Sequence, residues 1–323
     1  MSEPNNSICR ICGNSDGNTH WLAREMMYGF RDEFDYFQCA KCKALQISEI
    51  PADMSKYYPS DYYSFNAYDG KKFKGIFGGF KRFQYKSSVL RKGFFQNLLH
   101  AVFPVDDYAV FHGFDITLNS RILDVGCGNG RSFIYPLAET GFKNAVGCDP
   151  FISKQFKYAN GLTIYKAGLE KMNGVWDFIT FHHSFEHIHN PDETLHLVAK
   201  LLKPGGICVI RIPTVSSYAW EHYRTNWAQL DAPRHFFLHS RESIELLAAK
   251  NGFELIKVVY DSRHFQFTGS EKYVADTALA VPRKKGLMRF LKRKGKKFQY
   301  SRLAKKLNRE NRGDQAGFFL RKI

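Results

Sequence analysis

Residues 122 to 130, Ile-Leu-Asp-Val-Gly-Cys-Gly-Asn-Gly, set a short apolar run with one acid, Asp124, directly against three glycines at alternate positions, Gly126, Gly128 and Gly130. A side chain at any of these glycines would hold the backbone away from a ligand lying over the end of the strand. The triplet alone also serves dinucleotide-binding proteins and plain strand-to-helix turns, so its surroundings must decide. Further apolar, β-branched runs follow at 145–149, 178–181, 207–210 and 254–259, with amphipathic stretches between them. Near-continuous apolar strands separated by helices specify a parallel sheet covered on both faces, a doubly wound α/β domain. Ser240 is placed to cap a helix through Ile244–Leu247, Gly252 to end it, and Lys203-Pro204-Gly205-Gly206 to turn the chain into the fifth strand. Pro136, just after the glycines, costs about 3 kcal/mol inside a helix, so the helix there must begin late enough to hold it near the first turn.

Asp149 follows the second strand, about 20 residues beyond the loop, where a carboxylate can accept both hydroxyls of a ribose. Any adenosyl ligand would satisfy that arrangement. Asp124 to Gly130, the Gly147-Cys148-Asp149-Pro150 turn, Trp176-Asp177-Phe178-Ile179 and Leu201 to Gly206 occur in the order and spacing of class I S-adenosylmethionine-dependent methyltransferases, which this stretch of about 150 residues resembles. The resemblance implies a Rossmann-like, seven-stranded domain. It implies that Asp124, Gly126 and Gly128 hold the methionine part of the cofactor, Asp149 the ribose, and Gly168 and Leu169 the adenine edge, that Gly130 and Pro150 also bind the cofactor, and that His183 lies near the methionine end.

Phe181 to His189 is open to several readings. His183, Glu186 and His187 reproduce the His-x-x-Glu-His spacing of an inverted zinc-protease helix, yet Asn190-Pro191-Asp192 leaves little room for such a helix. A Glu–His pair here resembles the ubiquinone-pathway O-methyltransferases, where it helps bind a divalent ion; a simple Glu–His hydrogen bond that fixes the loop is the plainer reading. Methyl transfer is an in-line displacement at a sulfonium carbon, so the protein must mainly position the acceptor and remove its proton. Histidine is the residue type suited to deprotonating a hydroxyl near neutral pH. His235, in the Trp227–Phe237 segment after the fifth strand, is the candidate catalytic base, with Asp231 to orient it and Arg234 to contact an anion. Tyr223, Trp227 and Arg211 are further pocket candidates.

Cys9-x-x-Cys12 and Cys39-x-x-Cys42 are two knuckles 26 residues apart that together complete a tetrahedral four-thiolate site, with no position left for water. The expected ion is a structural Zn²⁺ holding together a module too small to fold on its own core. Cys127, Cys148 and Cys208 stand singly in apolar or glycine-rich runs. With Ile50-Pro51-Ala52-Asp53, the Tyr57–Tyr63 stretch and the Asp231–His235 segment, the cysteines resemble a group of bacterial zinc-ribbon methyltransferases of the polysaccharide- and sugar-modifying type. That resemblance implies methyl transfer to a sugar hydroxyl, or to a sugar carbon next to a carbonyl. The chain then divides into a zinc ribbon (1–60), a basic and aromatic helical connector (61–119), the cofactor-binding domain (120–270) and a basic helical tail (271–323).

The net charge of +16 sits in the appendages. Eight cations and no acid lie between Lys71 and Lys92, and sixteen cations face only Glu310 and Asp314 from Arg283 onward. Leu287, Phe290 and Leu291 fall at helical spacing among those cations, as in a helix lying on an anionic membrane surface, which would suit a lipid-linked glycan acceptor as well as a small-molecule one. A zinc ribbon beside basic and aromatic segments would also suit RNA, but His183-Ser184-Phe185-Glu186 lacks the Asn/Asp-Pro-Pro-aromatic motif common where a base or amine is methylated; a phenolic, quinone-like acceptor is the other alternative. No run approaches the ~18 apolar residues of a membrane-spanning helix, and residues 1–7 lack the features of a secretory signal, so a cytoplasmic location, peripheral at most to the membrane, is expected.

Overall fold

The computed structural model describes residues 8–59, 64–90, 105–282 and 286–323. They fall into two compact units that do not follow the linear order of the chain: one gathers residues up to Pro59 with Phe185–Leu195 and Arg211–Leu320, the other holds Ser60–Ser184, His196–Ile210 and Arg321–Ile323.

The first unit opens with an antiparallel meander, β1 (Thr19–Arg24), β2 (Glu33–Gln38) and β3 (Leu45–Ile47). β1 and β2 pair from Thr19↔Gln38 to Arg24↔Glu33, so Tyr36 and Phe37 turn to opposite faces and both find cover. The loop between them is organised by one side chain. Glu25, fully buried, accepts backbone N–H bonds from Met27 and Tyr28 on Oε1 and from Gly29 and Phe30 on Oε2, at 2.9 to 3.1 Å.

The second unit is built on β4 (Ile122–Val125), β5 (Ala145–Cys148), β6 (Phe156–Lys157), β7 (Thr163–Tyr165), β8 (Trp176–His182) and β9 (Leu202–Pro213), the last running on into the first unit. Within it the strand order is β9-β8-β4-β5-β7-β6. β4 is parallel to both β5 and β8, β5 is parallel to β7, and β6 is antiparallel to β7. The doubly wound parallel arrangement is thus present as a Rossmann-like mixed sheet. Lys203–Gly206, expected as a turn before the fifth strand, lies within β9, with Gly205 at φ +70°. Helix α1 (Gly75–Leu90) falls in the basic connector, and α2 (Ile134–Glu139) carries Pro136 as its third residue, within the first turn as the sequence required. Phe73, Tyr85, Tyr108, Phe111 and Phe133 form an aromatic cluster that reaches the sheet at Phe178, 5.5 Å from Phe111 edge to face.

The chain returns to the first unit with β10 (Phe237–Leu238), which pairs with β3 as the fourth strand of the ribbon sheet. The cysteine module is therefore not complete at residue 60. Its sheet covers a core in which Tyr36, Leu45 and Ile47 meet Trp220, Trp227, Leu230 and Leu238. Ser240 caps the helix Arg241–Lys250 by accepting from the Ser243 N–H, as expected, and Gly252 follows at φ +73°. Strands β11 (Phe253–Tyr260) and β12 (Gln315–Lys322) lie side by side. The basic tail is not wholly helical. A helix at Leu287–Arg309 packs Tyr300, Leu303, Ala304 and Leu307 with Phe267, and the chain then enters β12, whose residues Gln315–Leu320 are buried. Among the described residues no helix is long and apolar enough to cross a membrane.

Candidate functional site

In the second unit the register aligns Phe181, Val125, Cys148 and Tyr165 in one row across β8, β4, β5 and β7. Asp124 lies one residue inside that row on β4, and the other predicted cofactor residues lie just beyond it or one turn further: Gly126–Gly130 after β4, Asp149 and Pro150 after β5, Gly168 and Leu169 after β7, and His183 after β8. They share the C-terminal edge of a parallel sheet, with the switch in strand order between β4 and β8 beside Gly126, where open α/β sheets bind ligands.

The loop is held closed by its own neighbours. Gly126, Gly128 and Gly130 have φ of +68°, +54° and +73°, the left-handed region that glycine enters at least cost. A Cβ on Gly126 would fall 2.5 Å from the Ser184 Cβ, and one on Gly128 2.7 Å from the Ser64 Cβ. Asp149 is buried, its Oδ2 accepting from the Gly128 N–H and its Oδ1 from the Phe151 N–H, both at 2.8 Å. It therefore shapes the glycine loop from the end of β5. Asp124 accepts from Thr180 Oγ1 at 2.8 Å, and burial, with a further push from Asp149, raises its pKa to about 8. Two carboxylates at one strand edge, the deeper one reluctant to ionise, form a site that a cationic sulfonium or ammonium group would relieve. The donor set thus fits S-adenosylmethionine. Glu170 folds its carboxylate over Gly168, where a Cβ would lie 2.2 Å from Oε2, and Leu169 is buried. His183 is exposed, at φ +54°.

Sequence reading missed Ser184 and Ser64. Ser184 donates to the Val125 carbonyl at 2.6 Å, and the segment bearing Ser64 reaches the loop through Asn129 Nδ2, which donates to the Asn66 carbonyl at 2.8 Å. Ser184 had a signal, its position directly after the β8 edge; Ser64 had none.

In the first unit a second group forms. Glu186 and His187 occupy a single turn, Phe185–His187, and Phe236 N–H donates to the Glu186 carbonyl at 2.9 Å, which brings His235 beside them. Tyr36 OH holds the His235 carbonyl at 2.8 Å. The His235 ring donates Nδ1–H to the Gln229 carbonyl at 2.8 Å, and His187 donates Nδ1–H to the Arg234 carbonyl at 2.7 Å. Both bonds are to acceptors that cannot donate, so each Nδ1 carries a proton, and in neutral His235 the lone pair sits on Nε2. His235 Nε2 lies 3.9 Å from Glu186 Oε1 and 3.9 Å from Asp231 Oδ2. Burial, aided by His187, pushes the His235 pKa down to about 4, so its imidazole is neutral across the physiological range.

Several expectations are corrected. Asp231 does not orient His235 by a hydrogen bond; that role falls to Gln229. Asp231 is instead engaged in a bidentate pair with Arg234, 2.7 and 3.0 Å, which holds its carboxyl below the usual range despite burial. Arg234 is not an anion contact: fully buried, it is shared among Asp231, Glu25 and the Tyr57 carbonyl. Trp227 is likewise core, donating Nε1–H to Asp314, while Arg211 pairs with Asp261 at 2.5 Å and Tyr223 packs against the cluster of Phe267, Ala304 and Leu307. His183, Glu186 and His187 share no helix, which removes the metallopeptidase reading. The group able to offer ligand atoms within 4.8 Å of one another is Glu186, His187 and His235.

Cys9, Cys12, Cys39 and Cys42 form the other such group among the described residues, with Cys9 and Cys42 Sγ 3.5 Å apart and Cys12 and Cys39 Sγ the same. Gln46 Nε2 donates to Cys9 Sγ at 3.1 Å and the Cys42 N–H points to Cys39 Sγ at 3.5 Å, donors of the kind that support thiolate ligands.

Residues 99–258 match the family model described as a methyltransferase domain. The ubiquinone biosynthesis O-methyltransferase of Pectobacterium atrosepticum is 24% identical over 136 residues, 38% of this chain and 54% of that one, so the chain spans about half the length of this curated relative. Among solved structures, a methyltransferase of Thermotoga maritima described as a possible histamine N-methyltransferase is similar over 75% of this chain and 91% of its own, at 18% identity and a TM-score of 0.41. A cyclopropane synthase of Mycobacterium tuberculosis is similar over 64% and 80%, at 18% identity and 0.40. With the glycine loop, Asp149 and the parallel strand edge all inside the matched segment, residues 99–258 are an S-adenosylmethionine-dependent methyltransferase domain of class I.

Proposed function

We propose that the chain transfers the methyl group of S-adenosylmethionine to a sugar hydroxyl in surface-glycan or sugar-nucleotide biosynthesis. The observation that carries an oxygen acceptor is the buried Glu186–His187–His235 group, with the His235 tautomer fixed by Gln229 and the Nε2 lone pair left to take a proton. Along the chain, only Ser184 and Phe185 separate His183, at the edge of β8, from Glu186. In the proposed reaction the acceptor oxygen attacks the S-methyl carbon in line, the carbon–sulfur bond breaks, and S-adenosylhomocysteine leaves. The hydroxyl proton passes to His235 Nε2, while Glu186 favours the imidazolium that forms. A sugar-carbon acceptor next to a carbonyl would use the same base to remove a carbon-bound proton. Asp124, Gly126 and Gly128 would hold the methionine part, Asp149 the ribose, and Gly168 and Leu169 the adenine edge, with Gly130 and Pro150 also lining the cofactor.

The sugar assignment rests on the likeness of the cysteine pairs and the Asp231–His235 segment to zinc-ribbon sugar methyltransferases. The relative named for ubiquinone O-methylation favours an oxygen acceptor and keeps a phenol as the second reading. The second reading brings a variant of the site, since Glu186, His187 and His235 present a carboxylate and two imidazoles in the pattern of a divalent-cation site. The four cysteines would hold a structural Zn²⁺.

The deciding experiment incubates purified protein with radiolabelled S-adenosylmethionine and separated sugar nucleotides, glycan lipids, quinone precursors and RNA. Label in a sugar-bearing fraction, lost in His235→Asn, is the expected result; label confined to phenol or RNA overturns the sugar reading. Full activity after chelation that leaves the cysteine-bound zinc in place rules out the divalent-cation variant.

A further inference from the structure

Helix α1 turns Gly78, Gln84, Tyr85, Ser87, Ser88 and Val89 inward. It leaves Ile76 95% exposed, Phe77 84%, Phe80 45% and Phe83 49%. Residues 76, 80 and 83 are spaced i, i+4, i+7, so three of these four side chains form one stripe along the helix, with Phe77 at its border. A large apolar side chain alone on a surface is ordinary; four on one helix face, the first nearly all in solvent, mark a contact surface. The charge around the stripe is of one sign. From Lys71 to Leu90 there are six cations, Lys71, Lys72, Lys74, Lys81, Arg82 and Lys86, and no acid. Asp69 and Glu139, which pair with Lys71 and Arg82, leave the segment strongly cationic.

We propose that this face of α1 seats the protein on an anionic lipid bilayer, with Ile76, Phe77, Phe80 and Phe83 entering the headgroup–acyl boundary and the flanking lysines meeting lipid phosphates. An apolar face ringed by cations is complementary to that surface. A second copy of the same face would bring six cations against six, and a polyanion without an apolar layer would satisfy the lysines while leaving Ile76 and Phe77 in water. The inference does not depend on which acceptor is methylated. An independent observation has the same character: the helix Leu287–Arg309, in the other unit, carries no acid and exposes Met288 (67%), Phe290 (45%), Leu291 (52%) and Phe298 (64%).

The test is flotation of the full chain with vesicles of phosphatidylcholine alone and with about a third phosphatidylglycerol. Binding is expected only to the anionic vesicles and is expected to weaken with salt. Phe77→Ser/Phe80→Ser and, separately, Lys74→Glu/Lys81→Glu should each lower partitioning about tenfold or more while S-adenosylmethionine binding is retained, which checks that the variants fold. A Phe290→Ser/Leu291→Ser variant reports the other helix. Equal binding to both vesicle types, no loss in either α1 variant, or loss only in the Phe290→Ser/Leu291→Ser variant overturns the proposal. So does self-association in the absence of lipid, or RNA binding, that the α1 apolar variant abolishes while vesicle binding persists.

Discussion

Glu25 Oε1 and Arg234 Nη2, 209 residues apart in sequence and both fully buried, lie 3.0 Å from one another. The same guanidinium holds Asp231 through two bonds, and the same carboxylate holds four backbone N–H groups of the β1–β2 loop. The ribbon loop and the segment carrying His235 are thus tied by one charged network inside the first unit.

Removing one member of that network strands the others. Arg234→Ala should destabilise the protein by about 3–5 kcal/mol, because two carboxylates remain buried without their cation. Arg234→Met with Glu25→Gln and Asp231→Asn should recover part of that loss. Urea unfolding of the single and triple variants measures both; an alanine variant within about 0.5 kcal/mol of the parent would refute the role assigned to Arg234.

His235→Asn should reduce turnover by about 10² to 10⁴ while leaving cofactor affinity unchanged. The depressed pKa sets the pH dependence. A base that protonates near 4 rather than 6.5 stays competent down to that range, so the acid limb of kcat/KM should fall between about pH 5 and 4. A limb centred near 6.5 would mean that another group takes the proton.

Asp124 has its pKa raised from 3.8 to about 8, so the folded protein without cofactor holds a proton there that the unfolded chain has released. The stabilising effect is complete below about pH 4 and is lost as pH rises through 8, at up to about 1.4 kcal/mol per pH unit. Asp124→Asn should flatten that part of the curve. Chemical denaturation of both forms between pH 5 and 9, about the span of the shift, checks the difference, and parallel curves would count against it.

Asp149→Ala should weaken S-adenosylmethionine binding about tenfold or more, since it removes both the expected ribose partner and the acceptor that shapes the Gly128 turn. Asp149→Asn retains one acceptor oxygen and should fall between alanine and the parent in calorimetry. Unchanged affinity in the alanine variant would remove Asp149 from the cofactor site.

Cys39→Ser should release one equivalent of Zn²⁺, measured by plasma emission, and lower the melting temperature, because the small Cys9–Cys42 cluster has little core of its own. Protein purified from zinc-containing medium without bound metal would overturn the structural zinc.

The parts of the site that were legible in the sequence are those written in consecutive residues. Gly126 to Gly130 and Asp149 declare themselves because a tight turn and a strand end need particular residue types at fixed offsets. Ser240 and Pro136 were readable for the same reason. Glu186, His187 and His235 were each visible, but their convergence depends on the Phe236–Glu186 backbone bond, which no local pattern encodes. Asp231 looked like a partner for His235 because it is four residues away; a guanidinium at hydrogen-bonding distance outcompetes an imidazole at 3.9 Å. Glu25 gave no signal, since a buried carboxylate reads as a surface acid until its partners are known. Strand β12 was hidden behind sixteen cations that drew the whole segment towards a helical, solvated reading.

The interleaving of the two units also bears on the order in which the chain can fold as it is made. Most of the methyltransferase sheet is complete once Ile210 has emerged, whereas the ribbon sheet must wait for Phe237 and Leu238, and its unit for Leu320. Until then the hydrophobic faces of Tyr36, Leu45 and Ile47 have no cover, so early capture of metal by the cysteines would steady a half-built layer during synthesis.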